Sequence, residues 1–398
     1  MAASTALLAL RLPPVEAAAA ILAAWEAGEA VLPLDPAAPG ADVRRTLAAL
    51  RPTALLDREG RRALPGGVPV DAGTAAVVAT SGTTGAPKGV ELGAAGVRAA
   101  ALAVSAALGT GPDDRWLACV PLHGVAGLAI LARSVHARVP VTVHGRFDAG
   151  RVLAEAGRAT LVSLVPTMLA RLLDAEGPDR PGLAGFRRVL LGGAPVPPEL
   201  AGRAAARGLW VVTSYGLTET SGGVVLDGRP LPGVELRLGA DGEVLLRGPT
   251  TMRGYRLDPG ATAAALRDGW LATGDLGRLD AAGRLVVTGR KRDLVITGGV
   301  SVRPEEVEAV LATHPAVAEV GVAGIPDPEW GERVVAWVVP ADPAAPPSLA
   351  VLRAFALERL APAKAPRQLV LVDALPRNGS GKLVRRALGP GRAAGGPG

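Results

Sequence analysis

The sequence predicts an α/β protein, with a large N-terminal wound α/β domain carrying a small β subdomain, followed by a small α+β C-terminal domain. Three observations predict it. Helix-like and strand-like segments alternate from about Val15 to Val212; short alternating strands with tight turns take over from Gly233; and a helix, two strands and a second helix follow between Glu305 and Leu360. At 398 residues and 49% hydrophobic content, the chain exceeds the size at which a single core usually splits.

The alanine-rich runs Val15 to Ala27 and Ala94 to Leu108 read as helices, and the apolar run Ala75-Ala76-Val77-Val78-Ala79 reads as a buried strand. Further strands are expected at Thr160 to Val165, stopped by Pro166, at Arg188 to Leu191 and at Leu209 to Val212. The last two run into Gly192-Gly193-Ala194-Pro195 and Thr213 to Thr220, read as ligand-facing loops at one edge of the sheet. Beyond Gly233, Val234 to Leu238, Gly242 to Arg247 and Gly283 to Val287 alternate as strands. Glu305 to Ala312 and Ser348 to Leu360 read as helices, with strands at Val317 to Val322 and Arg333 to Val339. Residues 389–398, rich in Gly and Pro, are expected to be disordered.

Composition excludes several classes. The only cysteine, Cys119, leaves no internal disulfide and no cysteine metal cluster, and it is expected in a buried strand; the four histidines show no metal-ligand spacing. The pI near 10.2 comes from scattered arginines rather than a basic stripe, so no nucleic-acid partner is expected. The N-terminal run Ala6 to Leu10 is too short to span a bilayer and lacks the basic segment of a signal peptide, so a cytoplasmic protein without a membrane span is expected. The oligomeric state stays open, a homodimer included.

The segment Thr80-Ser81-Gly82-Thr83-Thr84-Gly85-Ala86-Pro87-Lys88-Gly89 concentrates hydroxyls, backbone NH groups and one ammonium, a set suited to a polyphosphate. It is not the common P-loop, because Lys88 is followed by Gly89 rather than Ser or Thr. The chain has four lysines against thirty-nine arginines, so each lysine stands out. Lys88 falls in this loop and Lys382 in a second glycine-rich turn, Asn378-Gly379-Ser380-Gly381-Lys382.

Three further segments lie between those two: Ser214 to Thr220, Thr273-Gly274-Asp275-Leu276-Gly277 and Gly289 to Gly299. Together, in this order, the five segments resemble the adenylate-forming superfamily of acyl-CoA synthetases, luciferases and peptide-synthetase adenylation domains, from about residue 15 to 386. The resemblance implies ATP, Mg²⁺ and coenzyme A as substrates and cofactor, a small-molecule carboxylic acid, and an AMP-forming acid-thiol ligase. It implies a nucleotide and acid-binding domain over 1–290 and a mobile domain over 291–388.

By the same resemblance Thr80, Ser81, Gly82, Thr83, Thr84, Gly85 and Lys88 would hold the β- and γ-phosphates. Gly193, Ala194 and Pro195 would line the adenine pocket, Tyr215 would stack on adenine, Gly216 would belong to the nucleotide site, Thr218 would contact the α-phosphate and Glu219 would bind Mg²⁺. Asp275, supported by Arg290, would grip the ribose hydroxyls. Lys382 would carry adenylation, with Lys88, Thr218 and Glu219 as its partners in catalysis. Arg292 would be the domain pivot, and Gly298 and Gly299 would line the pantetheine channel. Read without the family, Tyr215 is a core aromatic, Asp275 a turn residue, Arg290 a surface arginine and the glycine pair a rigid turn.

Two departures from the family pattern stand out. In Pro121-Leu122-His123-Gly124 the usual aromatic-histidine pair would fall at His123 and Gly124, so His123 either replaces that histidine from one residue away or is ordinary packing; the opening region is also shorter than is typical. Ala132-Arg133-Ser134, Leu161 to Leu173 and Val224 to Gly233 are most similar to the o-succinylbenzoate-CoA ligases of menaquinone synthesis. A dianionic aromatic acid needs a cation or several donors in its pocket, for which His123, Arg133, Ser221, Gly222 and Gly223 are candidates, Arg133 being equally readable as a structural helix residue. Other expectations are a ligase for another aryl or medium-chain acid, and a non-catalytic nucleotide-binding relative.

Overall fold

A computed structural model describes residues 3–81, 87–176, 182–377 and 382–389. Gly82, Thr83, Thr84 and Gly85 of the phosphate segment, the Ser81 side chain, residues 378–381 before Lys382 and most of the tail expected to be disordered lie outside the described residues. The chain forms two compact units, residues 1–237 with 245–273, and residues 238–244 with 274–398.

The first unit holds two seven-stranded sheets. One runs Val141–Val143, Trp116–Ala118, Leu161–Leu164, Arg188–Gly192 and Val211–Leu217 in parallel, then turns antiparallel through Gly222–Leu226 and Arg229–Pro230. The other is parallel across Thr74–Ser81, Ala30–Pro33, Leu7–Leu10 and Ala54–Asp57, flanked by antiparallel Pro87–Gly93 and Gly254–Tyr255 at one end and Gly60–Ala63 at the other.

The N-terminal apolar run is therefore a central strand. Leu8 and Leu10 pack into the core shared with Ile21 of helix Pro14–Glu26, while Leu7 and Ala9 face the core containing Leu50 of helix Gly40–Leu50. A strand covered on both faces needs an unbroken apolar run, which is what this segment supplies. Pro166 both ends a strand and opens helix Pro166–Ala175, because its fixed φ and missing N–H suit a first helical position. Cys119 is buried just after strand Trp116–Ala118, and burial pushes its thiol pKa up to about 12.

Two expectations are corrected. Thr213 to Leu217 is not loop but the second half of strand Val211–Leu217, and only Thr218–Thr220 forms a 3₁₀ turn. The cause is the returning strand Gly222–Leu226, which gives these residues backbone partners. It lies so close that a Cβ at Gly216 would stand 2.0 Å from the Gly222 carbonyl oxygen. Likewise Lys88 belongs to strand Pro87–Gly93, paired with Thr80, rather than to a loop.

In the second unit, Asp275 and Arg290 are cross-strand partners in the hairpin of Trp270–Leu279 and Leu285–Arg290. A further five-stranded sheet follows, in which Val300–Val302, Val295–Thr297, Gly331–Pro340 and Val317–Asp327 are joined by Gln368–Leu371, parallel to Gly331–Pro340. Helices Pro304–Leu311 and Leu349–Leu357, the latter capped by Ser348, cover one face. Leu375, Leu383 and Leu388 cover the other, around Trp337.

Candidate active site

In the first unit the hairpin of Thr74–Ser81 and Pro87–Gly93 brings both limbs of the phosphate segment together, the Thr80 hydroxyl donating to the Lys88 carbonyl oxygen at 3.3 Å. Strand Gly254–Tyr255 pairs with Pro87–Gly93 and places the Tyr255 ring 5.1 Å from the Lys88 ammonium. The Tyr255 hydroxyl donates to Glu219 Oε1 at 2.8 Å. Burial, followed by the charge of Glu219, pushes the phenol pKa up, so Tyr255 remains a donor throughout the working pH range. Glu219 is held from behind, since its carbonyl accepts the Met252 N–H at 2.7 Å. Its turn is pinned by Thr220, whose hydroxyl accepts the Leu217 N–H at 2.9 Å and donates to the Gly222 carbonyl at 2.8 Å.

Lys88, Tyr255 and Glu219 thus form one chain of contacts. Sequence reasoning missed Tyr255. The available signal was its rarity, since Tyr215 and Tyr255 are the two tyrosines in the sequence. Tyr215 is half-buried in its strand, opposite Val225, and Gly193 adopts φ +84° in the turn after strand Arg188–Gly192, with Ala194 and Pro195 exposed beside it.

The candidate acid-pocket residues are more dispersed in role. His123 is half-buried in the turn before helix Val125–His136; burial lowers its pKa, with Asp35 opposing, and it borders a cleft of about 150 Å³ that Asp35, Asp42 and Ala79 also line. Arg133 is buried in the same helix, its Nε donating to the Ala129 carbonyl at 2.9 Å and its guanidinium 4.5 Å from the Trp116 ring. Burial lowers its pKa to about 9, which still leaves it charged at neutral pH. The Ser221 hydroxyl donates to the Thr250 carbonyl at 3.0 Å, and Gly222 stands against Ala129 of the helix. A Cβ at Gly223 would lie 1.9 Å from Ser214 Oγ, so its glycine identity has a packing cause as well.

In the second unit, Arg290 Nε lies 2.8 Å from Oδ1 of the buried Asp275. Lys382 is exposed as a residue, yet withdrawal of its ammonium from water lowers its pKa; Arg290 and Arg292 push the same way, while Asp275 and Asp293 oppose them. Asp275, Arg290 and Lys382 are therefore within one electrostatic neighbourhood. Gly298 and Gly299, at φ +56° and +77°, form the tight turn between Val295–Thr297 and Val300–Val302, and a Cβ at Gly298 would meet the Trp330 ring at 3.0 Å.

Among the described residues no group of three or more His, Cys, Asp or Glu could hold a metal ion, and no helix is long and apolar enough to cross a membrane. Glu219 alone fits Mg²⁺ of the kind that takes one or two carboxylates together with substrate phosphates, because Tyr255 engages Oε1 and the carboxylate retains a second hard oxygen.

Residues 67–256 match the model of the AMP-binding enzyme family, and residues 306–382 match the AMP-binding enzyme C-terminal domain. The chain belongs to the AMP-binding enzyme family. Within it, the chain is similar to a probable 2-succinylbenzoate–CoA ligase of Mycobacterium tuberculosis, 44% identical over 337 residues that cover 82% of this chain and 86% of that protein. It is also similar to the 2-succinylbenzoate–CoA ligase of Bacillus subtilis, 38% identical over 79% of this chain and 68% of that one. Among solved structures, o-succinylbenzoate CoA synthetase from Bacillus subtilis with its acyl-adenylate intermediate superposes at TM-score 0.86, with 33% identity, covering 97% of this chain and 88% of that chain. The same enzyme with ATP and magnesium ion gives TM-score 0.84 at 32% identity, over 96% and 89%. The expected fold class, a large N-terminal and a small C-terminal part of α/β type, is thereby borne out.

Proposed function

We propose that this chain is an ATP-dependent acid–CoA ligase that acts through an acyl-adenylate and takes o-succinylbenzoate, giving o-succinylbenzoyl-CoA, AMP and diphosphate. The observation that supports it most is the 44% identity to a probable 2-succinylbenzoate–CoA ligase over 86% of that protein. Such an enzyme would serve menaquinone biosynthesis in the cytoplasm.

A carboxylate is a poor electrophile. In the first step a carboxylate oxygen attacks the α-phosphorus, the α–β phosphoanhydride bond breaks and diphosphate leaves with the electron pair. In the second, a thiol sulfur attacks the acyl carbon, AMP leaves and the thiol proton passes to solvent. Charge concentrates at phosphorus and then at the carbonyl oxygen, so placed cations and donors supply most of the catalysis.

In this reading Lys88 and the hydroxyls of its hairpin bind the terminal phosphates, Asp275 with Arg290 orients the ribose, Tyr215 stacks on the base, and Lys382 offsets charge between carboxylate and α-phosphate. Glu219, oriented by Tyr255, would hold Mg²⁺, which supplies neutralisation of phosphate charge when bound. Arg292 would serve as pivot and Gly298-Gly299 as the wall of the pantetheine channel, while Arg133 and His123 contribute to the acid pocket.

The test is ATP- and CoA-dependent AMP release with o-succinylbenzoate beside benzoate, hexanoate and octanoate. Selective turnover of o-succinylbenzoate is expected. Preference for a monoacid would replace the substrate, and no turnover of any acid would overturn the ligase reading.

A further inference from the structure

Arg385 sits three residues beyond Lys382, at the start of the 3₁₀ turn Arg385–Ala387. Its side chain is 14% exposed and faces three carboxylates. Nε lies 3.4 Å from Asp293 Oδ2, Nη2 lies 3.0 Å from Glu305 Oε1 and 3.2 Å from Glu308 Oε2, and Nη1 donates to Glu308 Oε1 and to the Val322 carbonyl oxygen. Glu308 in turn accepts the Val322 N–H at 2.7 Å, so helix Pro304–Leu311 and strand Val317–Asp327 are joined directly, and the guanidinium caps that junction.

The carboxylates differ in where they lead. Asp293 shares the 3₁₀ turn Lys291–Asp293 with Arg292, whose Nε is 3.6 Å from Asp293 Oδ1. Glu305 presses on the strand that carries Arg290, since a Cβ at Gly289 would stand 2.7 Å from Glu305 Oε2. On the other side of Lys382, an antiparallel bridge pairs Arg377 with Leu383, and the Val384 N–H donates to the Pro376 carbonyl at 2.8 Å. Leu383 and Leu388 both pack over Gly321. Apolar packing therefore seats the backbone after Lys382, but only Arg385 among these contacts connects that backbone to the turn of Arg292 and the strand of Arg290.

We propose that Arg385 is a positioning residue for adenylation, fixing the backbone that carries Lys382 to the Asp293 turn so that the ammonium stays in register with Asp275 and Arg290. This rests on the reading of Lys382 as the adenylation lysine. The planar fork hydrogen-bonds Glu305, Glu308 and the Val322 carbonyl while its charge pairs with Asp293 without a hydrogen bond; an ammonium cannot span these groups with the same geometry. Three carboxylates with no central cation repel one another, which makes the arrangement dependent on Arg385.

The full-length chain tests this in both half-reactions, adenylate formation from ATP and o-succinylbenzoate, and CoA-dependent AMP release from supplied o-succinylbenzoyl-adenylate. Arg385→Gln is expected to lower kcat of adenylation by about 10- to 100-fold at unchanged KM for ATP, the range found when a supporting residue is removed. The second half-reaction should stay within about twofold, and Arg385→Lys should fall between. In a Lys382→Ala background, Arg385→Gln should cause no further loss of residual adenylation, because it acts only through Lys382.

Equal loss in both half-reactions, or further loss on top of Lys382→Ala, would show a merely structural role and overturn the proposal. So would full adenylation by Arg385→Gln while Lys382→Ala is defective, which leaves the lysine reading standing. Full adenylation by Lys382→Ala would remove that reading and this proposal with it. If Arg385→Gln does not fold, Arg385→Lys carries the same comparisons.

Discussion

The phenol of Tyr255 and the carboxylate of Glu219 are joined by a 2.8 Å hydrogen bond between residues thirty-six apart in the chain. A late strand, Gly254–Tyr255, returns to the edge of the sheet that carries Lys88 and sets the ring between the two charged groups. The position thus combines a donor for the carboxylate with a π-face for the ammonium.

Tyr255→Phe removes the donor and keeps the ring. Adenylation should fall by about tenfold, with more Mg²⁺ needed for half-maximal rate, since the carboxylate loses the group that orients it. Tyr255→Leu removes the ring as well and should weaken ATP binding by a further ~0.5–1 kcal/mol. A Mg²⁺ titration on both variants checks this; identical curves for wild type and Tyr255→Phe would refute it.

Asp275→Asn should raise the KM for ATP by about 30-fold, equivalent to roughly 2 kcal/mol for a hydrogen-bonded charge. The penalty should vanish with 2′,3′-dideoxy-ATP, which lacks the hydroxyls the carboxylate would grip. A penalty that persists with the dideoxy nucleotide would assign Asp275 to holding Arg290 alone.

In the role proposed for it, Lys382 offsets phosphate charge only when protonated, and its pKa is lowered from the ordinary 10.5 chiefly by withdrawal from water, with help from Arg290. Because the protonated form is the active one, the adenylation rate is expected to hold at lower pH and decline as pH rises through the shifted value. The alkaline limb should accordingly lie below pH 10.5. Arg292→Ala removes one repelling cation and should move that limb upward; a profile unchanged by this variant would contradict the account.

Gly216→Ala should destabilise the first unit by about 3 kcal/mol, because its Cβ would meet a backbone oxygen at 2.0 Å and neither strand can yield cheaply. Gly109→Ala, at φ +59° in open space, should cost only about 1 kcal/mol. Urea midpoints of the two variants give the comparison.

The helices and the buried strands were legible because apolar periodicity and Gly/Pro punctuation are local. Arg290 was expected to support Asp275, and the two are direct cross-strand partners. What was not legible came from distant pairing. Thr213 to Leu217 looked like loop because its polar residues say nothing of the partner strand Gly222–Leu226. Tyr255 and Arg385 lie outside the segments that drew attention, and each acquires its setting from residues tens of positions away. The run Leu7–Leu10 was too short to announce itself as a strand covered on both faces.

Cys119 offers a practical opening. It is the chain's single thiol, buried against strand neighbours and with its pKa pushed up to about 12, so almost none of it is thiolate at neutral pH. Maleimide dyes should pass it by. A cysteine introduced at one exposed site in each unit would then carry a fluorophore pair on the otherwise native sequence, and energy transfer between the dyes could follow the two units through turnover without first engineering a thiol-free background.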